Sequence, residues 1–185
     1  MKDTEFIRGN VPMTKEEIRT IVISKLNLCP TDTLMDIGAG TGSVSIEAAK
    51  ILTHGKVIAI EQKPEAFDLI KQNAKKHNIS NISIIHSKAP QGMEELHNTN
   101  KFFIGGSGGN LTEVLDLIKE QAPHNATIVV TAIVLDTMIQ AYQFFTKNNY
   151  LLDFIQVSVN KIDPSMSASM LMAQNPIFIL TAKRK

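Results

Sequence analysis

The stretch Asp36-Ile37-Gly38-Ala39-Gly40-Thr41-Gly42 decides how this chain is read. It stands directly between a strand-like run at residues 33–37 and a helical pattern at residues 43–54 that Gly55 stops. Glycines let a backbone approach a ligand closely and take torsions that a side chain forbids. In an open α/β sheet, ligands sit beyond the carboxyl ends of the strands, and a strand–glycine loop–helix unit puts its loop there.

Outward from this unit, short β-branched runs alternate with longer amphipathic ones. Residues 14–27 predict a first helix, with Ile18, Ile21, Val22 and Leu26 near helical spacing. Thr14 and Glu17 form a capping box there, and Met13 with Ile18 can form its hydrophobic staple. Strands are expected at residues 56–60, 82–86, 101–104 and 126–133. Helices are expected from Pro64 to about residue 77, from about Pro90, from Asn110 (with Glu113) to before Pro123, and over residues 136–148. Two closing strands, residues 151–159 and 176–182, have no helix-length pattern between them, so they can pair as an antiparallel hairpin at one edge. The alternation implies a mostly parallel sheet covered by helices on both faces. One biased segment, residues 165–172, holds three of the eight methionines and reads as loop or interface packing.

Composition narrows the function classes. A length of 185 residues favours one domain, and 43% apolar residues with 20% charged ones argue for a packed core rather than disorder. Nineteen Lys+Arg against eighteen Asp+Glu leave a net charge of +1, which argues against gripping nucleic acid by overall charge. One cysteine, Cys29, and five scattered histidines form no multi-cysteine cage or histidine pair, so no metal site is expected. The first residues show no secretory pattern, and no apolar run approaches the roughly 18 residues that cross a bilayer. A cytoplasmic protein without membrane or nucleic-acid partners is the expectation.

The glycine loop and an acidic residue, Glu61, select the ligand class. Glu61 closes the second strand nineteen residues after Gly42, where its carboxylate can accept hydrogen bonds from both hydroxyls of a ribose. A dinucleotide loop, G-x-G-x-x-G/A, would want its third small residue where Ser43 stands, whereas the third glycine comes one residue early at Gly42. A dinucleotide also has no particular need of Asp36, while a cationic sulfonium gains from an acid nearby, and the same carboxylate can brace the loop amides. S-adenosylmethionine is the better fit.

A second glycine-rich loop follows the fourth strand: Phe103-Ile104-Gly105-Gly106-Ser107-Gly108-Gly109-Asn110. Four glycines in five positions give a floor of backbone amides and no stacking ring, which admits a bulky planar substrate. The plainer reading is a loop that only needs positive torsions before a capped helix.

With these motifs in place, the chain from about Thr33 onward resembles class I S-adenosylmethionine-dependent methyltransferases. The resemblance implies a Rossmann-like α/β fold, a seven-stranded mostly parallel sheet with an antiparallel last strand and helices on both faces. It implies that Gly38, Ala39, Gly40, Thr41 and Gly42 face the methionine and ribose portions of the cofactor and that Glu61 holds the ribose. The adenine contact follows the third strand, at His86-Ser87-Lys88-Ala89-Pro90. Many members carry an acid where Lys88 stands, so the backbone amide of Ala89 is left to serve the adenine ring.

Two further blocks narrow the resemblance. Phe6-Ile7-Arg8-Gly9-Asn10-Val11-Pro12-Met13-Thr14-Lys15-Glu16-Glu17, together with the two glycine loops, is similar to the CbiT group of cobalamin biosynthesis. These are decarboxylating C15-methyltransferases of cobalt-precorrin-6B, a tetrapyrrole-derived corrin precursor. The group implies methylation of a ring-bridging carbon, loss of carbon dioxide from a ring acetate, and a homotetramer. It also implies one domain over residues 1–185, with residues 1–30 covering the cleft and Thr14 touching the cofactor. A polycarboxylate substrate asks for cations at the rim. Arg8, Lys15, Arg19 and Lys88 are the candidates, with Gly105, Gly106, Ser107, Gly108 and Gly109 as the floor. For Lys15 and Arg19 a solvated helix face is the plainer reading. No residue announces itself as a general acid or base. An RNA or protein side-chain methyltransferase on the same fold, or a non-catalytic cofactor-binding subunit, remains as an alternative.

Overall fold

The computed structural model describes residues 1–162 and 171–185. Five helices and seven of the strands build the core. In chain order the first eleven of these are α1 (Glu16–Leu26), β1 (Thr33–Ile37), α2 (Ser43–Ile51), β2 (Lys56–Glu61), α3 (Pro64–Lys76), β3 (Ile82–His86), β4 (Lys101–Ile104), α4 (Leu111–Gln121), β5 (Thr127–Ala132), α5 (Leu135–Lys147) and β6 (Tyr150–Val157). Two short strands follow, β7 (Asn160–Ile162) and β8 (Leu171–Ala173), and the last strand is β9 (Ile177–Arg184).

The main sheet has the order β3-β2-β1-β4-β5-β9-β6. β1 pairs in parallel with β2 on one side and β4 on the other, so the chain reverses its direction of travel across the sheet at β1/β4. Helices on the two halves leave a crevice at such a switch point, and the glycine loop after β1 opens into it. β9 runs antiparallel between β5 and β6, giving the expected closing hairpin and reversed last strand. β7 and β8 pair as a separate two-stranded sheet inside a stretch expected to be loop.

Alternation along the strands explains why both faces need helices. Leu34, Phe103 and Val129 pack into one cluster with Ile18, Val22 and Leu26 of α1 and Val44 and Ala48 of α2. Met35, Ile37, Phe102, Ile104, Ile128 and Val130 point the other way, among Val114, Leu115 and Ile118 of α4 and Met138, Ala141 and Phe145 of α5. Each such fully buried side chain contributes about 1.5–3 kcal/mol through removal from water.

Four local expectations are corrected. The first helix begins at Glu16 with Lys15 as its N-cap, so Thr14 is no cap and the residue three past the cap is Ile18, not an acid. Thr14 instead offers its carbonyl to Arg19 Nη1 at 2.6 Å, and the Glu17 carboxylate pairs with Lys161 at 2.7 Å. The Met13–Ile18 staple does not form, since Met13 packs with Phe6, Ile46 and Ala74 while Ile18 joins the cluster beneath α1. The helix expected from Pro90 is a run of turns ending in one 3-10 turn (Leu96–Asn98), because Gly92 takes a φ of +88° that no right-handed helix contains. Helix α2 stops at Ile51 rather than residue 54, where Asn81 Nδ2 donates to the carbonyls of Ala49 and Leu52 and satisfies the helix end. Of the methionine-rich stretch only Leu171 and Met172 fall within the described residues, both exposed on β8.

Candidate active site

At the carboxyl ends of the strands lies a cavity of about 530 Å³, a size suited to a nucleoside-sized ligand. Its wall takes Gly38, Ala39 and Gly40 from the first glycine loop, and Glu61, Gln62 and Lys63 from the end of β2. Ser87, Lys88 and Ala89 come from the end of β3, and Gly105, Gly106, Ser107 and Gly108 from the second glycine loop. The amino-terminal segment adds Val11, Pro12, Met13, Thr14 and Lys15. A second cavity of about 240 Å³ adjoins it and shares residues 105–108 and 131–133. Gly109 lines this second space.

The loop's shape depends on glycine. Gly38, Gly40 and Gly42 have φ of +71°, +57° and +76°. The Gly38 and Ala39 amides both donate to the Ile60 carbonyl, at 2.9 and 3.2 Å, and the Gly40 amide donates to Glu61 Oε2 at 2.9 Å. The loop is therefore braced by the end of β2, not by Asp36. Glu61 Oε1 accepts from the Lys63 amide at 2.9 Å. Each carboxylate oxygen has two lone pairs, so each keeps one for a ligand hydroxyl in the cavity it lines.

The structure does not bring every expected residue to this wall. Among the described residues that line either cavity, Arg8, Arg19, Asp36, Thr41 and Gly42 do not figure. Gly42 is the N-cap of α2, and Thr41 is buried with its carbonyl bonded to Asn73. Arg8 is exposed to solvent. Arg19 is neither rim cation nor solvated face: it is fully buried, donating to Glu47, Asp3, Thr14 and Met1. Asp36 is fully buried and accepts from the Ser45 hydroxyl at 2.5 Å. Burial pushes its carboxyl up to about 7, opposed by the Ser45 hydrogen bond and reinforced by the nearby Glu61 charge.

Sequence reasoning missed Lys63 and Gln62, whose signal is their position directly after Glu61. Lys63 and Lys88 line the cavity, and among the described residues neither is in an ion pair. Lys15 lies 3.8 Å from Asp3. Gly108 makes room for two of these side chains, since a Cβ there would meet Gln62 Nε2 at 2.9 Å and Lys88 Cε at 3.3 Å. No group of three or more metal-ligating side chains occurs among the described residues.

The family model described as precorrin methyltransferase domain matches residues 5–184. The chain belongs to the precorrin methyltransferase family. Within that family it is 35% identical over 187 residues to the cobalt-precorrin-6B C(15)-methyltransferase (decarboxylating) of Salmonella typhimurium, covering 100% of this chain and 96% of the relative. A precorrin-6Y C5,15-methyltransferase structure from Geobacter metallireducens superposes with a TM-score of 0.94 at 34% identity, covering 100% of this chain and 96% of that one. The precorrin 8W decarboxylase of Methanobacterium thermoautotrophicum superposes with a TM-score of 0.92 at 27% identity, covering 98% of both chains. The chain is thus a methyltransferase of the class I fold.

Proposed function

We propose that this chain methylates C15 of a cobalt-precorrin-6B-type corrin precursor and releases the carbon dioxide of a ring acetate. The observation that carries the reading is the pair of adjoining cavities joined along the second glycine loop, in a chain that matches family members over its whole length. The larger cavity fits S-adenosylmethionine: a carboxylate with two free lone pairs stands in its wall, and its loop presents backbone where side chains would intrude. Bound there, the cofactor supplies a methyl group on a positively charged sulfur.

The chain's own residues then act chiefly by position. Glu61 fixes a ribose diol, and the Ala89 amide meets an adenine ring. Residues 105–109, glycine at every position but Ser107, leave a floor of mostly bare backbone between cofactor and macrocycle. The electron-rich ring is its own nucleophile, so holding the reacting carbons in line accounts for much of the rate and no proton-transfer residue is assigned. Lys63 and Lys88 receive ring carboxylates at the cavity wall. The substrate is a small molecule met in the cytoplasm, and the working assembly is a homotetramer, which light scattering would test by mass.

The deciding experiment incubates purified protein with S-adenosylmethionine and the reduced corrin precursor without oxygen. Mass spectrometry should find one methyl gained and one carbon dioxide lost. Methyl gain alone would remove the decarboxylase, and transfer to RNA or protein with the macrocycle untouched would overturn the substrate.

A further inference from the structure

Residues 11–14 belong to a segment without long helix or strand, yet they form part of the wall of the larger cavity. Two buried polar side chains hold this amino-terminal strap from beneath. Arg19 gathers its ends: the guanidinium donates to the carbonyls of Met1 and Thr14, each at 2.6 Å, and to Asp3 at 3.1 Å, and it lies 4.8 Å from the centre of the Phe6 ring. Asn73, fully buried on α3, holds the middle. Its Oδ1 accepts from the Ile7 amide at 2.7 Å, and its Nδ2 donates to the Ile7 carbonyl at 2.9 Å and to the Thr41 carbonyl at 2.9 Å.

One amide side chain therefore couples two segments that both line the cavity or adjoin it. Both Nδ2 hydrogens are used, one toward the strap and one toward the glycine loop, so no carboxylate or apolar residue of similar size can replace it. The coupling matters because strap and loop touch: a Cβ on Gly40 would lie 3.0 Å from the Pro12 carbonyl oxygen. Displacing the strap from the loop would open the wall built by Val11, Pro12, Met13 and Thr14.

We propose that Asn73 is a positioning residue for cofactor binding, locking the amino-terminal strap to the glycine loop so that residues 11–14 form a fixed cavity wall. The proposal rests on reading that cavity as the S-adenosylmethionine site. Asn73 need not touch the cofactor; it acts through Ile7 and Thr41. Its effect falls on binding rather than on the chemical step.

The test compares the wild-type chain with Asn73→Asp, which keeps an acceptor for the Ile7 amide and loses both donors, and with Ile7→Pro, which removes the strap's donor. Phe6 already has the extended backbone, φ −99° and ψ 143°, that a following proline requires, so the second variant serves if the first fails to fold. Calorimetry with S-adenosylmethionine should show the dissociation constant raised about tenfold or more, the scale of one or two lost hydrogen bonds. The cofactor KM should rise in step while kcat at saturating cofactor stays near the wild-type value, and amide exchange over residues 7–14 should quicken. A merely structural role would lower the melting temperature and leave that split absent. Unchanged affinity in a folded variant, beside a wild type that binds, overturns the proposal alone. A wild type that does not bind S-adenosylmethionine overturns the cofactor reading beneath it.

Discussion

Gly38 and Gly106 lie backbone against backbone, so close that a Cβ built on Gly38 would fall 2.2 Å from the Gly106 carbonyl oxygen. The glycine loops after β1 and after β4 are thus one packed unit, as adjacent parallel strands at a switch point allow. Gly38→Ala should destabilise the fold by at least about 2 kcal/mol, because the new methyl group must displace backbone and Gly38 has a positive φ that residues with a side chain rarely adopt. Chemical denaturation checks the magnitude. A variant as stable as the wild type would show that the loops are not in contact.

Glu61 carries two jobs on one carboxylate. Glu61→Ala should weaken S-adenosylmethionine binding by roughly 1.5–3 kcal/mol, the range of charge-assisted hydrogen bonds. It should also lower thermal stability, since the Gly40 and Lys63 amides lose their acceptor. Calorimetry on the folded variant decides; unchanged affinity would take Glu61 out of the site.

Asp36 should leave a signature in stability against pH. Its folded value is raised from 3.8 to about 7, chiefly by burial, so the folded state holds its proton more tightly than the unfolded chain. That contribution is complete below the unfolded value and is lost as pH rises through about 7. Between these limits wild-type stability should fall relative to Asp36→Asn, which has no proton to lose, and the difference should level off above the upper limit. Parallel denaturation series across that window measure it. A constant difference between the two proteins would mean that Asp36 does not titrate there.

Lys63 and Lys88 are the cations to replace when probing the polycarboxylate. Lys63→Gln and Lys88→Gln should each raise the KM for the macrocycle by about three- to tenfold, as expected for a lost charge-assisted contact. The KM for S-adenosylmethionine, whose cavity both lysines line, should rise less than that for the macrocycle, and the salt dependence of the macrocycle KM should flatten. Steady-state kinetics with both substrates varied separates the cases. A larger rise in the cofactor KM instead would assign that lysine to the cofactor's own carboxylate.

The architecture was legible in the sequence because strand and helix periods reflect local alternation of apolar residues. β1, β3 and β4 begin and end where their patterns do, and Gly38–Gly40 with Glu61 reach one cavity wall because a parallel sheet lines up the carboxyl ends of its strands. Helix ends were less legible. Thr14 and Glu17 have the spacing of a capping box, yet the Glu17 side chain pairs with Lys161, far along the chain. Competition from groups distant in sequence is invisible to a spacing rule.

The sequence by itself determined the class of fold, the glycine loop between β1 and α2 and the family, since these follow from motifs whose residues act within a few positions of one another. Tertiary structure alone decided which charges face the cleft. Arg19, a candidate rim cation by sequence, is fully buried, and Lys63, which no motif marks, lines the cavity. Asn73 had a local signal, because it occupies a core-facing position of α3 among Ala66, Leu69, Ile70 and Ala74. Nothing in that pattern names Ile7 and Thr41 as its partners. An amide in a core must find hydrogen bonds wherever the packed chain supplies them, and only the folded chain fixes where that is.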